Sequence, residues 1–373
     1  MAGPVEYHMG KFPPADLEWS RLIPLLGPAS AALARYDALL LAIPNAAVFL
    51  SPLTTQEAVL SSRIEGTQAT MGEVLQYEAA GPEGSLSPDK RADIEEVLNY
   101  RRAMRQAVEL MRELPLCNRL VKALHETLLS GVRGHDKARG KFRVIPNYIG
   151  VRGRPIEEAR FVPIMPEQLE DGMSRWEKFV HSEAADALVQ LAIVHAEFES
   201  LHPFLDGNGR IGRMLIPLFL FDRKLLREPM FYLSEYLEAK RQEYYDCLLG
   251  VSRDDDWTAW CEFFLTALTK QAEANHAKAV AILDLYQQKK DWIAELTHSQ
   301  YAIRALDWFF GRPVFKTPDF VASSGIPKPT ANRIVRLARE QGLLRELVAG
   351  MGRRPAILVF PELLNIAEGR SIF

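Results

Sequence analysis

The stretch His202-Pro203-Phe204-Leu205-Asp206-Gly207-Asn208-Gly209-Arg210-Ile211-Gly212-Arg213 decides how this chain is read. Twelve residues supply a titratable base, a carboxylate, a glycine-flanked amide and two arginines. An apolar helical run (Leu188 to Leu201) precedes them and a second apolar segment (Met214 to Phe221) follows. A glycine-rich turn that opens a helix offers backbone N–H groups and the positive end of the helix dipole to an anion. Arginines one helical turn apart suit adjacent phosphates, so the expected anion is a polyphosphate. Asp206 suits a hard divalent cation bridging those phosphates, because Mg2+ is commonly held by one or two carboxylates plus phosphate oxygens. The bland alternative, a capped helix-loop-helix corner with solvated arginines, leaves the spacing of these groups unexplained.

Around this stretch the chain reads as mainly α-helical, with Leu, Ala, Arg and Glu dominating its long periodic segments. Its 373 residues exceed a usual single domain, so two or three units are expected. A net charge of -3 says little about partners. Cys117, Cys247 and Cys261 are scattered and show no CxxC spacing, which argues against a disulfide framework or zinc site and for a reducing compartment. Met1 to Ser20 has no apolar core of a secretory signal, and the runs Ala38 to Leu50 and Met214 to Phe221 are too short or too broken to span a membrane. A soluble, cytoplasmic protein is the expectation.

The boundaries expected are a helical N-terminal region at 1–112, a core at 113–255, a helical connector at 256–298 and a C-terminal module at 299–373. Phe142-Arg143-Val144-Ile145, Tyr148-Ile149-Gly150-Val151 and Arg160-Phe161-Val162 are β-prone around a polar turn, which predicts a small β-hairpin in the otherwise helical core. In the last module, helices at Tyr301 to Phe310, Lys316 to Ser323 and Thr330 to Gln341 precede strands at Leu343 to Leu347 and Ala356 to Phe360. That order predicts a winged-helix fold.

The twelve-residue stretch resembles the HPFx(D/E)GNGRxxR signature of the Fic family, whose members transfer AMP from ATP to a hydroxyl of a target protein. The resemblance implies that His202 is the general base and Asp206 the Mg2+ ligand. It implies that Gly207, Asn208 and Gly209 surround the α- and β-phosphates, and that Arg210 and Arg213 contact the β- and γ-phosphates; Ile211 and Gly212 belong to the same nucleotide-binding run. The family's phosphotransferase branch carries Lys where this chain has Gly209, so AMP transfer is implied. Ser61-Ser62-Arg63-Ile64-Glu65-Gly66 resembles the family's inhibitory (S/T)xxxE(G/N) helix, expected at about 55–66. Glu65 is then the inhibitory residue, paired with Arg213 in place of a γ-phosphate.

The hairpin resembles the family's flap, which places Ile149 and Gly150 near the nucleotide and a target protein along 147–163 by strand addition. Tyr244, Tyr245, Leu248 and Ser252 lie where relatives line the adenine; aromatic residues at that spacing also suit plain core. His195 and Glu199 read as structural. Self-modification and a homodimer are further expectations, and ATP with Mg2+ the expected substrate and cofactor. Residues Arg312 to Arg354 hold nine Lys/Arg against three Asp/Glu, so Arg333, Arg336 and Arg339 with a wing at Arg353 and Arg354 could meet DNA phosphates. Equally, the module could serve protein contacts. Three alternatives stay open: a DNA-binding regulator with a sensing core, a Fic enzyme using another nucleoside triphosphate, and one that removes AMP.

Overall fold

Helix Ala187–Leu201 is buried on every side, with only its first residue and Glu199 reaching partial exposure. A helix covered all round can persist only inside a shell of other elements. Helices Pro166–Val180, Asn208–Asp222 and Arg241–Asp254 pack against it. Two tryptophans fix its position. The Trp176 indole donates to the Val194 carbonyl at 2.9 Å and the Trp260 indole to the Ala192 carbonyl at 2.7 Å. Asp186 caps its start by accepting from the N–H groups of Leu188 and Val189.

The computed structural model describes the chain apart from residues 1–2, 44, 82–85, 133–136, 151–152 and 353. It is mostly helical and divides into two compact units. The first comprises Met1–Asp37, Leu60–Thr67 and Glu95–Glu273, and contains the whole of the decisive stretch. The second comprises Ala38–Val59, Gln68–Ile94 and Ala274–Phe373. Among the described residues no helix is long and apolar enough to cross a membrane.

In the first unit the β-structure is smaller than the sequence pattern predicts. Phe142 to Ile145 forms no strand. The Arg143 N–H donates to the Pro203 carbonyl, and the Arg143 side chain turns inward, 2% exposed, which removes the segment from any ladder. What remains of the hairpin is an antiparallel bridge between Ile149 and Phe161. Val151 lies outside the described residues. Strand Phe161–Val162 pairs instead, in parallel, with Val5–Glu6 near the N-terminus. That N-terminal strand is tied down by its neighbours: the Tyr7 hydroxyl donates to Glu197 at 2.6 Å, and His8 bonds Glu197 at 2.8 Å and Ser252 at 2.7 Å.

The second unit carries a three-stranded antiparallel sheet in the order Val314–Lys316, Ile357–Val359, Arg345–Val348. Helices Ala302–Gly311, Thr317–Ser323 and Lys328–Glu340 accompany it. The short strand Val314–Lys316 and the closing helix Pro361–Glu368 have no counterpart in the sequence reading. Phe309, Phe315, Phe320 and Trp308 form its aromatic core, with Trp308 edge-on to Phe315 at 4.7 Å. Helix Met71–Ala80 starts with a capping box between Thr70 and Glu73.

Trp260 joins packing to a buried hydrogen bond, so Trp260→Ala should destabilise the first unit by roughly 3–5 kcal/mol. Trp260→Phe should cost distinctly less. Urea unfolding followed by far-ultraviolet circular dichroism checks this; a loss under about 1 kcal/mol for the alanine variant would contradict the packing argument.

Candidate active site

The turn between the two central helices is held in an uncommon backbone shape. His202 ends helix Ala187–Leu201 at φ 48°, and Gly207 precedes helix Asn208–Asp222 at φ 79°. A left-handed conformation is ordinary for glycine and uncommon for histidine, so the surroundings must enforce it. Four side chains do so. The Asn208 amide closes a ring on Phe204, accepting from its N–H and donating to its carbonyl, each at 2.8 Å. The Asn147 amide donates to the same carbonyl at 3.0 Å. Arg143 Nε donates to the His202 carbonyl at 3.0 Å.

His125 is the fourth. Its ring stacks on Phe204 at 3.7 Å, its Nδ1 accepts from the Gly140 N–H at 2.9 Å, and its Nε2 lies 3.0 Å from the Asp206 carbonyl. An Nδ1 that accepts leaves the proton on Nε2, which donates to that carbonyl. Burial pushes the His125 ring down to about 4, which keeps this neutral tautomer in place.

With the turn fixed, helix Asn208–Asp222 begins with free N–H groups at Asn208, Gly209 and Arg210; the Ile211 N–H already bonds the Gly207 carbonyl. The Asn208 side chain is taken up by Phe204, which leaves only its backbone N–H at the helix start. Arg210 is buried between Glu96 at 3.2 Å and Asp206 at 3.3 Å. Arg213 is 2% exposed. Its Nε donates to the Ser61 hydroxyl at 2.9 Å, and its Nη2 donates to the Ser61 carbonyl at 2.8 Å and to Glu65 Oε1 at 2.6 Å.

Glu65 lies just past helix Ser51–Ile64, where Gly66 at φ 101° turns the chain. Burial opposes its ionisation, yet the Arg213 charge and hydrogen bond outweigh that and hold the carboxylate below its ordinary range. Gly209 leaves the space: a Cβ there would overlap the Glu65 carboxylate and crowd the Arg213 guanidinium.

Beside these groups opens a cavity of about 400 Å³. His202, Gly209, Arg213 and Glu65 form its polar end. Ile149, Gly150 and Phe161 cover one side, and Tyr245, Leu248 and Leu249 of helix Arg241–Asp254 the other. An ion pair between Arg160 and Asp246 joins these two sides.

His202 faces this cavity with a defined tautomer. Its Nδ1 is 3.3 Å from the Glu199 carbonyl, which can only accept, so Nδ1 carries the proton and Nε2 keeps its lone pair. Burial pushes the ring down to about 4; the Glu199 carbonyl, Glu65 and Asp206 oppose that shift and Arg143 adds to it. Glu199 also lines the cavity. Burial raises its carboxyl to about 7, and its Oε1 has no hydrogen-bond partner.

The structure thus gathers His202, Gly209, Arg213, Glu65, Ile149, Gly150 and Tyr245 around one space, with Asp206, Gly207, Asn208 and Arg210 in the adjoining turn. Ile211 is core, and Gly212 packs its Cα against Glu199. Ser252 does not line the cavity, because its hydroxyl bonds His8. Tyr244 is buried and bonds His195 at 2.8 Å. The sequence reading placed Arg143, Asn147, Arg160 and Phe161 in the hairpin without giving their side chains a role at the site, and it missed His125. Arg143 stood out there only as part of a β-prone segment, and no local signal marks His125.

The Fic/DOC family N-terminal description matches residues 23–109 and the Fic/DOC family description residues 115–220, together more than half of the chain. A probable protein adenylyltransferase of Aquifex aeolicus is 26% identical over 204 residues, 52% of this chain and 56% of that relative. A protein adenylyltransferase of Drosophila grimshawi is 30% identical over 129 residues, 34% of this chain and 24% of the relative. The chain thus spans about half the length of the first and a quarter of the second. A Fic family protein from Desulfovibrio desulfuricans G20 shares the fold, with a TM-score of 0.61 at 20% identity over 93% of this chain and 98% of that one. By these matches and this fold, the chain belongs to the Fic/DOC family.

Proposed function

We propose that this protein is a protein adenylyltransferase that Glu65 holds in check. One observation carries the reading: a histidine lone pair, the free N–H groups of a helix start and a buried arginine converge on one cavity, and a carboxylate already bonds that arginine. Relatives bearing the name protein adenylyltransferase support the reaction class. The reaction has a simple balance. His202 Nε2 takes the proton of a target hydroxyl as its oxygen bonds the α-phosphorus of ATP. The bond from that phosphorus to the bridging oxygen breaks, and diphosphate leaves. The N–H groups of Gly209 and its neighbours stabilise the charge that develops on the phosphoryl oxygens. Ile149, Phe161 and Leu248 give the base an apolar slot, and Tyr245 edges it.

Asp206 fits the cation. Its carboxylate is 43% exposed beside the helix start, and among the described residues no group of three His, Cys, Asp or Glu side chains could cage a metal. A single open carboxylate suits an ion that takes most of its ligands from phosphates and water. Bound there, Mg2+ would neutralise phosphate charge. The target would lie along the flap, where Ile149, Tyr148 and Ile156 are exposed.

The C-terminal elements suit a winged-helix module. Its use for DNA has less support, because the helix arginines are engaged: Arg336 pairs with Glu340, Arg339 with Glu346, and Arg333 donates to the Thr297 carbonyl. Arg353 of the expected wing lies outside the described residues.

Glu65→Gly should raise self-modification by roughly 10- to 100-fold, the equivalent of a charge-assisted hydrogen bond of about 1.5–3 kcal/mol. Intact-mass analysis with labelled ATP should record a gain of AMP that His202→Ala abolishes; a gain of phosphate alone would refute the reading. The pH dependence follows from the half-buried base, whose activity is present above its own pKa and lost below it. In Glu65→Gly, the acid limb of the rate should have its midpoint below pH ~5.5, under the ordinary histidine value. Initial rates across the acid range check this, and a midpoint at about 6.5 or above contradicts this assignment of the base.

A further inference from the structure

Arg143 is 2% exposed, and its hydrogen bonds go to backbone carbonyls, with the Glu167 carboxylate acting on it only through space. Burying a guanidinium without a contacting counter-ion is costly unless its donors are satisfied, and here backbone carbonyls satisfy them. Nε donates to the His202 carbonyl at 3.0 Å; Nη2 donates to the Ile164 carbonyl and, at 3.4 Å, to that of Leu201; Nη1 reaches the Ile145 carbonyl at 3.4 Å. The backbone N–H adds the Pro203 carbonyl at 2.9 Å. Three successive carbonyls, 201 to 203, are therefore held by one residue.

Those carbonyls are the ones that matter. They close the C-terminal end of helix Ala187–Leu201, where orphaned acceptors and the negative end of the dipole favour a cation. They also flank the peptide units that give His202 its left-handed backbone, and this backbone sets the direction of the imidazole. The carbonyls hold the guanidinium still, so it acts as a rigid clamp rather than a mobile charge.

We propose that Arg143 is the positioning residue for His202: its guanidinium clamps the carbonyls of residues 201 and 202, fixes the left-handed turn and aims Nε2 into the cavity. The proposal rests on His202 being the base. A second effect runs in the same direction, since a fixed positive charge beside the ring disfavours imidazolium. Glu65 and Asp206 act on the ring in the opposite sense, and the Glu199 carbonyl bonds it. Arg143 thus bears on both the geometry and the protonation state of the ring.

The test compares Arg143→Gln and Arg143→Lys in the Glu65→Gly background, with self-modification as the activity. A misaimed base should lower kcat by roughly 100-fold for the glutamine variant while KM for ATP stays within about twofold. Lysine keeps the charge but has one donor nitrogen in place of three, so it should recover part of the loss. In parallel, the His202 ring is titrated by NMR in the full chain, and its midpoint should rise toward the ordinary histidine range in Arg143→Gln. That readout needs no turnover, so it tests the clamp even if Glu65→Gly transfers nothing. An unchanged kcat, an equal loss in ATP affinity, an unmoved His202 titration, or loss of the fold in both variants would overturn the assignment.

Discussion

The Arg213 guanidinium is the group on which the site depends. A charge that is 2% exposed must be paired, and its hydrogen bonds must be filled, or the site would be unstable. Ser61 fills two of them and Glu65 provides the counter-charge at 2.6 Å. The contact links residues 148 positions apart in the chain and sets the carboxylate beside the start of helix Asn208–Asp222. The same guanidinium is suited by charge and geometry to a terminal phosphate. In the function proposed, carboxylate and phosphate compete for one cation, so inhibition requires no separate regulatory site. Gly209 has a part in both states: it opens the helix start to an anion, and its missing side chain makes room for Glu65.

A second constraint is the strained turn that joins the two central helices. His202 adopts a conformation uncommon for a side chain of its kind, and the restraints come from His125, Arg143, Asn147 and Asn208. Preorganisation of this sort holds the His202 ring, the helix N–H groups and Arg213 in fixed relation. Burial of the same residues keeps the histidines neutral. His125 and His202 share a depressed affinity for protons, so one physical cause serves the scaffold and the chemistry.

How much of this was legible in the sequence depended on chain distance. The run from His202 to Arg213 was legible because its base, acid, amides and arginines lie within twelve consecutive residues. Glu65 became legible only through its family resemblance, since nothing local marks a helical glutamate as the partner of a distant arginine. The restraints on the turn were not legible: Arg143 and His125 act across 59 and 81 positions. Ser252 lies on a helix that flanks the cavity, but His8, 244 positions away, takes its hydroxyl. The hairpin failed for a related reason. Phe142 to Ile145 has strand-like composition, yet burial of Arg143 against the turn outweighs that local preference. Strand Val314–Lys316 is three residues long and leaves no periodic trace.

The claim that one guanidinium serves either Glu65 or a γ-phosphate is tested most directly by a crystal structure of the His202→Ala/Glu65→Gly double variant with Mg-ATP, beside His202→Ala alone. In the double variant a γ-phosphate oxygen should lie within hydrogen-bond distance of Arg213 Nη2, and in the single variant Glu65 should keep that place. A γ-phosphate remote from Arg213 in the double variant, or one joined to Arg213 in the single variant while Glu65 also remains bound, would contradict the account.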